Sequence, residues 1–159
     1  MKIGVLSDIH LKQDDGRIRS IIEKHLTDVD MYFLCGDLTS MGIYDLFADK
    51  KVVAVAGNMD DQSIKNTLPI KRKVNLNGHT FGLIHGYGAP ANMEKRIAKE
   101  FESVDCIVYG HSHAASNQRV GGTLFFNPGS ATDRRFSPYC SVGILNVSES
   151  SIKGEIIKL

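Results

Sequence analysis

Five short blocks carry most of the chemically useful side chains of this chain: Asp8-Ile9-His10, Gly36-Asp37, Gly57-Asn58-Met59-Asp60, His85-Gly86 and Gly110-His111-Ser112-His113. Carboxylate, carboxamide and imidazole groups are the ligands that divalent cations take from proteins. The carboxylates Asp8 and Asp37 and the imidazoles His10, His85, His111 and His113 could hold two such ions if one carboxylate bridged them, since each ion would then receive about four protein ligands. Two ions side by side supply hydrolytic chemistry, because they acidify a water and neutralise the oxygens of the group under attack. No block is specific alone. Asp-x-His arises often by chance, Gly-Asp is a common turn, and a lone His is more often a satisfied structural residue than a ligand. Their joint occurrence is the signal, because a purely structural cluster of this density would leave several polar groups unpaired at a sheet edge, which is costly.

Positioning these blocks falls to short apolar runs, each of which ends where a block begins. Lys2 to Leu6, Met31 to Cys35 and Val52 to Ala56 read as buried strands. Between them lie Ile18, Ile21, Ile22 and Leu26 at helical spacing and a short helical pattern at Ile43 to Phe47. This β-α-β-α-β order predicts parallel strands with helical crossovers. Later, Lys71 to Leu76 and Thr80 to Ile84 flank Asn77-Gly78, a dipeptide suited to a two-residue type I′ hairpin. Pro90 is expected to open a helix with Met93, Ile97 and Phe101 on one face. Asp105 to Tyr109, Ala115 to Val120, Thr123 to Phe126, Tyr139 to Val147 and Ile152 to Ile157 complete the strands. The class is α/β with mixed sheets, parallel early and hairpin-rich late. In such sheets functional groups collect at the carboxyl ends of strands, which is where all five blocks fall.

Composition narrows the function classes. The chain has 159 residues, 42% hydrophobic and 23% charged, the balance of one ordinary globular domain, and no linker or repeat divides it. Nineteen Lys and Arg against eighteen Asp and Glu leave a net charge of +1, so attraction to a phosphate backbone explains nothing by default and nucleic acid is disfavoured as a partner. The N-terminal apolar run reaches Asp8 too soon for a signal peptide or a membrane span, so a cytoplasmic protein without a membrane partner is expected. Cys35, Cys106 and Cys140 are odd in number and far apart; all three are expected to be buried small apolar residues.

The five blocks, in this order, resemble those of the calcineurin-like metallophosphoesterases. The compact length and Asn127-Pro128-Gly129-Ser130 after a late strand resemble the small YfcE-like phosphodiesterase branch. The resemblance runs from Asp8 to Ser130. It implies two packed mixed β-sheets flanked by helices, and it places Asp8, His10 and His113 on one ion, Asn58, His85 and His111 on a second, and Asp37 between them. The ions implied are transition metals such as Mn, Ni, Co, Fe or Zn. The activity implied is hydrolysis of a small phosphodiester by a hydroxide bridging two metal ions, with the catalytic load on Asp37, Asn58 and Asp60. A rival reading is a non-catalytic scaffold on the same fold, like the retromer scaffold subunit; retention of all seven ligand positions favours the enzyme. Self-association into a homo-oligomer stays open at this stage.

One position departs from the family pattern. A His commonly follows the Asn of the third block and is thought to assist the leaving group; here it is Met59, whose thioether cannot donate a proton. Asp60 is expected to orient Asn58 or His111, a helix cap being the plain alternative. Asn58, Arg134 and Arg135 are candidate substrate contacts, with surface salt bridges the alternative for the arginines. Asn127 is expected to steady the loop carrying His113. His25 and His79 are expected to be solvated, and Lys71-Arg72-Lys73 to be a charged strand edge.

Overall fold

Short apolar strands, most of them buried on both faces, build two sheets that share one core. A computed structural model describes all 159 residues. In the first sheet the order is β10 (Ile152–Lys158), β9 (Ser141–Val147), β1 (Lys2–Leu6), β2 (Met31–Cys35) and β3 (Val52–Val55). β1 pairs in parallel with β2, and β2 with β3, while β9 and β10 join antiparallel. In the second sheet β4 (Lys71–Leu76), β5 (His79–Ile84), β6 (Cys106–Val108), β8 (Thr123–Asn127) and β7 (Ser116–Val120) follow in that order. Its centre, β5-β6-β8, is parallel; its edges, β4 and β7, are antiparallel.

Residues two apart on each strand point to the same face. Ile3, Val5, Phe33, Cys35 and Val55 of the first sheet therefore meet Phe81, Leu83, Cys106, Val108, Leu124 and Phe126 of the second in one buried layer. The intervening residues face outward and are covered by helices. Leu6, Leu34, Ala54 and Ile144 lie beneath α1 (Arg17–His25), α2 (Met41–Tyr44) and α3 (Gln62–Thr67), through Ile18, Ile43 and Ile64. Ile84, Ile107, Tyr109 and Phe125 lie beneath α4 (Met93–Ile97), through Met93 and Ile97. Two mixed sheets flanked by helices, the arrangement the resemblance implied, is the fold of this chain.

Several local expectations are corrected. The hairpin at Asn77-Gly78 forms with both residues at positive φ, 52° and 82°, but α4 starts at Met93 behind Asn92, and Pro90 sits in the preceding loop. Phe101 lies beyond that helix in extended backbone and packs its ring across Gly82. The late part is also less hairpin-rich than expected, since the interior of the second sheet is parallel. α3 has no counterpart in the sequence reading; it is short, and its cap is Asp61, whose side chain accepts from the Ile64 amide at 2.9 Å. Cys140 is half-exposed, unlike Cys35 and Cys106. His79 is only 15% exposed and its Nε2 meets the Ser148 carbonyl oxygen at 3.0 Å. No helix is long and apolar enough to cross a membrane.

Candidate metal centre

The parallel strands of both sheets deliver their carboxyl ends to one rim. β1 is followed by Asp8 and His10, β2 by Asp37, β3 by Asn58, β5 by His85, β6 by His111 and His113, and β8 ends at Asn127. The turns are tight. Asp8, His10, Asp37, His111 and His113 all take left-handed backbone, with φ of 53°, 49°, 53°, 68° and 57°. Non-glycine residues seldom accept this conformation, and its concentration at one site is the mark of a functional constraint. The glycines of the blocks make room. A Cβ on Gly57 would run into the Asp37 carboxylate, and one on Gly110 into Ser7 Oγ and the Asp8 carboxylate.

Each central carboxylate commits one oxygen to the protein and turns the other inward. Asp8 Oδ2 accepts from Ser7 Oγ at 2.7 Å and from the His111 amide at 3.0 Å, leaving Oδ1 buried without a partner. Asp37 Oδ1 accepts from the Met59 amide at 2.8 Å, and its Oδ2 lies 3.3 Å from His85 Nε2 and 3.6 Å from His10 Nε2. The histidines are oriented from behind. His85 Nδ1 sits 2.7 Å from the Cys35 carbonyl oxygen, which can only accept, so Nδ1 carries the hydrogen and Nε2 faces the carboxylates. By the same logic His111 Nε2 donates to the Gly88 carbonyl at 2.9 Å and presents Nδ1 to Asn58. His113 Nδ1 is buried without a hydrogen-bond partner, the Asp133 carboxylate lying 3.5 Å away, and its Nε2 faces inward.

The inward atoms converge. His10 Nε2 and His113 Nε2 stand 3.0 Å apart, and His113 Nε2 is 3.3 Å from the unpartnered Asp8 Oδ1. Two imidazole lone pairs approach this closely only with a proton or cation between them. Donors around a transition ion at about 2.1 Å are themselves separated by roughly 3.0–3.4 Å, so these spacings fit one. Two ligand groups result, Asp8-His10-His113 and Asp8-Asp37-His85. Asn58 and His111 sit further out, paired with each other at 3.0 Å through Oδ1 and Nδ1.

Electrostatics in the metal-free chain follow from this crowding. Burial alone would push His85 down, but its hydrogen bond to Asp37 and the charges of Asp8 and Asp37 outweigh it and raise its pKa to about 9. Burial would likewise raise Asp37, yet the adjacent His85 holds it below the usual carboxylate range. For His10 burial wins over both carboxylates and the pKa is lowered.

Asp60 does not touch Asn58 or His111. It is buried, and its oxygens accept from the Gly57 amide at 2.6 Å, the Thr39 amide at 2.6 Å and the Asp37 amide at 3.2 Å. It therefore ties the loop after β3 to the loop after β2. Asn127 donates to the Gly110 carbonyl and to Ser112 Oγ, both at 3.0 Å, and so steadies the His111–His113 loop. Arg135 lines the mouth of the site, but its guanidinium holds Asp133 at 2.6 Å and lies 5.8 Å from the Phe136 ring centre. Arg134 lies elsewhere, beside Arg17 and Cys140, and is no part of this mouth. Sequence reasoning missed Asp133, which backs His113, and the carbonyls of Cys35 and Gly88; a backbone oxygen leaves no sequence signal.

Residues 1–150 match the model of the calcineurin-like phosphoesterase superfamily domain. The chain belongs to that superfamily. A probable metallophosphoesterase of Methanocaldococcus jannaschii is 33% identical, the match covering 100% of this chain and 82% of that protein. A phosphodiesterase of the same organism is 27% identical over 81% of this chain and 83% of its own. Among solved structures, wild-type Vps29 of Entamoeba histolytica complexed with Zn2+ superposes with a TM-score of 0.73 at 21% identity, covering 99% of each chain. Metal-dependent phosphoester hydrolysis is the activity that the family and these ligand groups jointly support.

Proposed function

We propose that this chain is a phosphodiesterase that works with two divalent ions held on either side of Asp37, its substrate a small phosphodiester. One observation carries the reading. Asp8 and Asp37 each tie one oxygen to protein donors and turn the other toward the space that His10, His85 and His113 also face. Asn58 and His111 complete the outer side, next to His85, whose ring centre lies 5.2 Å from that of His111. When bound, divalent ions supply Lewis acidity toward phosphoryl oxygens and lower the pKa of a water. The imidazole-rich donor set favours Mn, Ni, Co, Fe or Zn over Mg.

The chain's own groups set the rest. Asp60 fixes the distance between the loops bearing Asp37 and Asn58, so its role is positioning. Met59 is 61% exposed at the mouth and has no proton to give, so an ester oxygen leaving on that side departs without a side-chain acid. This favours substrates with acidic leaving groups. The relative named phosphodiesterase supports the choice of diester over monoester. The rival scaffold reading is supported by the fold shared with Vps29, and the inward-turned donors of Asp8, His10, Asp37, His85 and His113 support the enzyme.

The test is an assay of metal-stripped protein refilled with Mn, Ni, Co, Zn or Mg, against a chromogenic diester and the matching monoester. Transition ions should restore hydrolysis, with the diester preferred. Folded protein that hydrolyses neither substrate with any ion would establish the scaffold reading instead. A Brønsted plot for Met59→His should be shallower than for the wild type, because a general acid contributes about 10²- to 10⁴-fold where the leaving group is poor. Coincident slopes with matched metal content would show that position 59 does not face the leaving oxygen.

A further inference from the structure

Two recesses open beside the metal centre, and Asn58 is the one residue lining both. The larger, about 600 Å³, is the mouth over His10, Asp37 and His113, with Met59 and Phe136 on its walls. The smaller, about 420 Å³, starts at His85 and Asn58 and runs outward between Tyr87 and Ile70. Both volumes are those of small-molecule pockets.

The smaller recess has an apolar, aromatic wall that is fixed in place. Ile70 is 77% exposed and Tyr87 46% exposed, so both offer apolar surface to a ligand. Gly86 and Gly88, at φ 103° and 76°, bracket Tyr87 in backbone that other residues accept poorly, and this aims the ring. Its hydroxyl donates to Glu100 at 2.9 Å, and Lys71 holds Glu100 at 2.8 Å. Arg96 binds the Tyr87 carbonyl at 3.1 Å and also those of Ala89 and Ala91, clamping the whole loop to α4. A wall ordered beforehand loses little entropy when a ring settles on it. At the junction with the metal centre Lys65 Nζ donates to the Asn58 backbone carbonyl at 2.9 Å, which puts a positive charge beside the residue the two recesses share.

We infer that the recess between Tyr87 and Ile70 is a subsite for a flat aromatic or heteroaromatic ring carried on one arm of the phosphodiester, the other arm lying in the mouth beside Met59 and Phe136. The inference rests on the phosphodiesterase reading and deepens it. The two ester oxygens of a tetrahedral phosphate diverge, so a diester centred near Asn58 sends its arms in different directions, and two recesses meeting at that residue receive them. A monoester would leave one empty. Tyr87 supplies a face for stacking, which tolerates any flat ring.

Calorimetric binding of two slowly hydrolysed ligands to the metal-loaded protein tests this: methyl phenyl phosphate and dimethyl phosphate, which share charge and differ in one arm. The phenyl arm should tighten binding by about ten-fold or more, as base-on-aromatic stacking does. Tyr87→Ala should reduce that ratio to near one, Ile70→Ala should reduce it in part, and Tyr87→Phe should keep it. Equal affinities in the wild type, or a ratio untouched by Tyr87→Ala in a protein with unchanged melting temperature, would overturn the subsite. Hydrolysis of bis(4-nitrophenyl) phosphate by the same preparation reports separately on the underlying reading. Turnover without ring preference sinks the subsite alone; ring preference without turnover upholds the subsite and sinks the phosphodiesterase.

Discussion

Asp8, Asp37, His85 and His113 are at most 4% exposed, each with an atom facing a common space, whereas Asn58 is exposed and His111 half-buried, and these two meet each other at the rim. The inner group is organised by the protein around it: a serine hydroxyl, two backbone amides and the Cys35 carbonyl hold its orientation, and the Asp133 carboxylate lies 3.5 Å behind His113. In the rim pair only the His111 side chain is tied to the protein, by the Gly88 carbonyl, and its Nδ1 faces Asn58 Oδ1 as one acceptor to another. Donors of the inner group are ordered from behind, whereas Asn58 Oδ1 and His111 Nδ1, two acceptors 3.0 Å apart, stand at the spacing of donors around one ion but are more exposed and less supported. If two ions bind as proposed, the half-site of Asp8, His10 and His113 should therefore be filled before the one that His85, Asn58 and His111 complete.

Asp37→Asn gives the largest effect, because Asp37 Oδ2 stands between His10 on one side and His85 on the other. Elemental analysis should show both ions weakened, and turnover should fall by at least about three orders of magnitude. Full occupancy of both sites in that variant would remove the bridging role. A finer test separates the halves. Asp133→Ala should weaken the inner ion and Asn58→Ala the outer one, each by about 10- to 100-fold in calorimetric titration. The comparison breaks if both variants act on the same binding step.

A smaller effect follows from His85, whose pKa is about 9 in the metal-free folded chain against an ordinary value of 6.5. A folded-state pKa raised in this way adds stability that is fully present below pH 6.5 and disappears as pH climbs through 9. The depressed Asp37 pKa is the same pair seen from its partner. The denaturation midpoint of metal-free protein should thus decline between these pH values, while His85→Asn shows no such decline. Metal affinity should move the opposite way, rising with pH as the displaced proton becomes easier to lose. The smallest effect is at His25, in the last turn of α1 and remote from the rim. His25→Ala should leave metal content and turnover unchanged and stability within about 0.5 kcal/mol; lost metal there would mean that the ligand set is misassigned.

The rim was legible because each functional block follows an apolar run, and the run's length and composition mark where a buried strand must end. Asn77-Gly78 was legible for the same local reason, since few dipeptides take two positive φ values cheaply. What escaped depends on partners far away in sequence. Asp133 reads as one more surface acid until His113 is seen beside it, and Asp60 as a residue orienting Asn58 or His111, or as a helix cap, until the amides of Thr39 and Gly57 are found on its oxygens. Nothing in the sequence marks the service of the glycines before Asn58 and His111, which is the volume they leave for the Asp37 and Asp8 carboxylates. Arg135 was read by its charge, and its neighbour Asp133 claims that charge.

Five candidate ligands are held in left-handed backbone. Each such residue costs roughly 1 kcal/mol or more relative to ordinary conformations, and the surrounding sheets bear the load. Replacing His10, His111 or His113 by glycine or asparagine would relieve part of it, whereas losing Asp8 or Asp37 would also remove the buried hydrogen bonds that their carboxylates accept. On this architecture the three histidine positions carry a conformational cost that only what they bind can offset, so a chain that kept the shape without those ligands would recover part of that strain there.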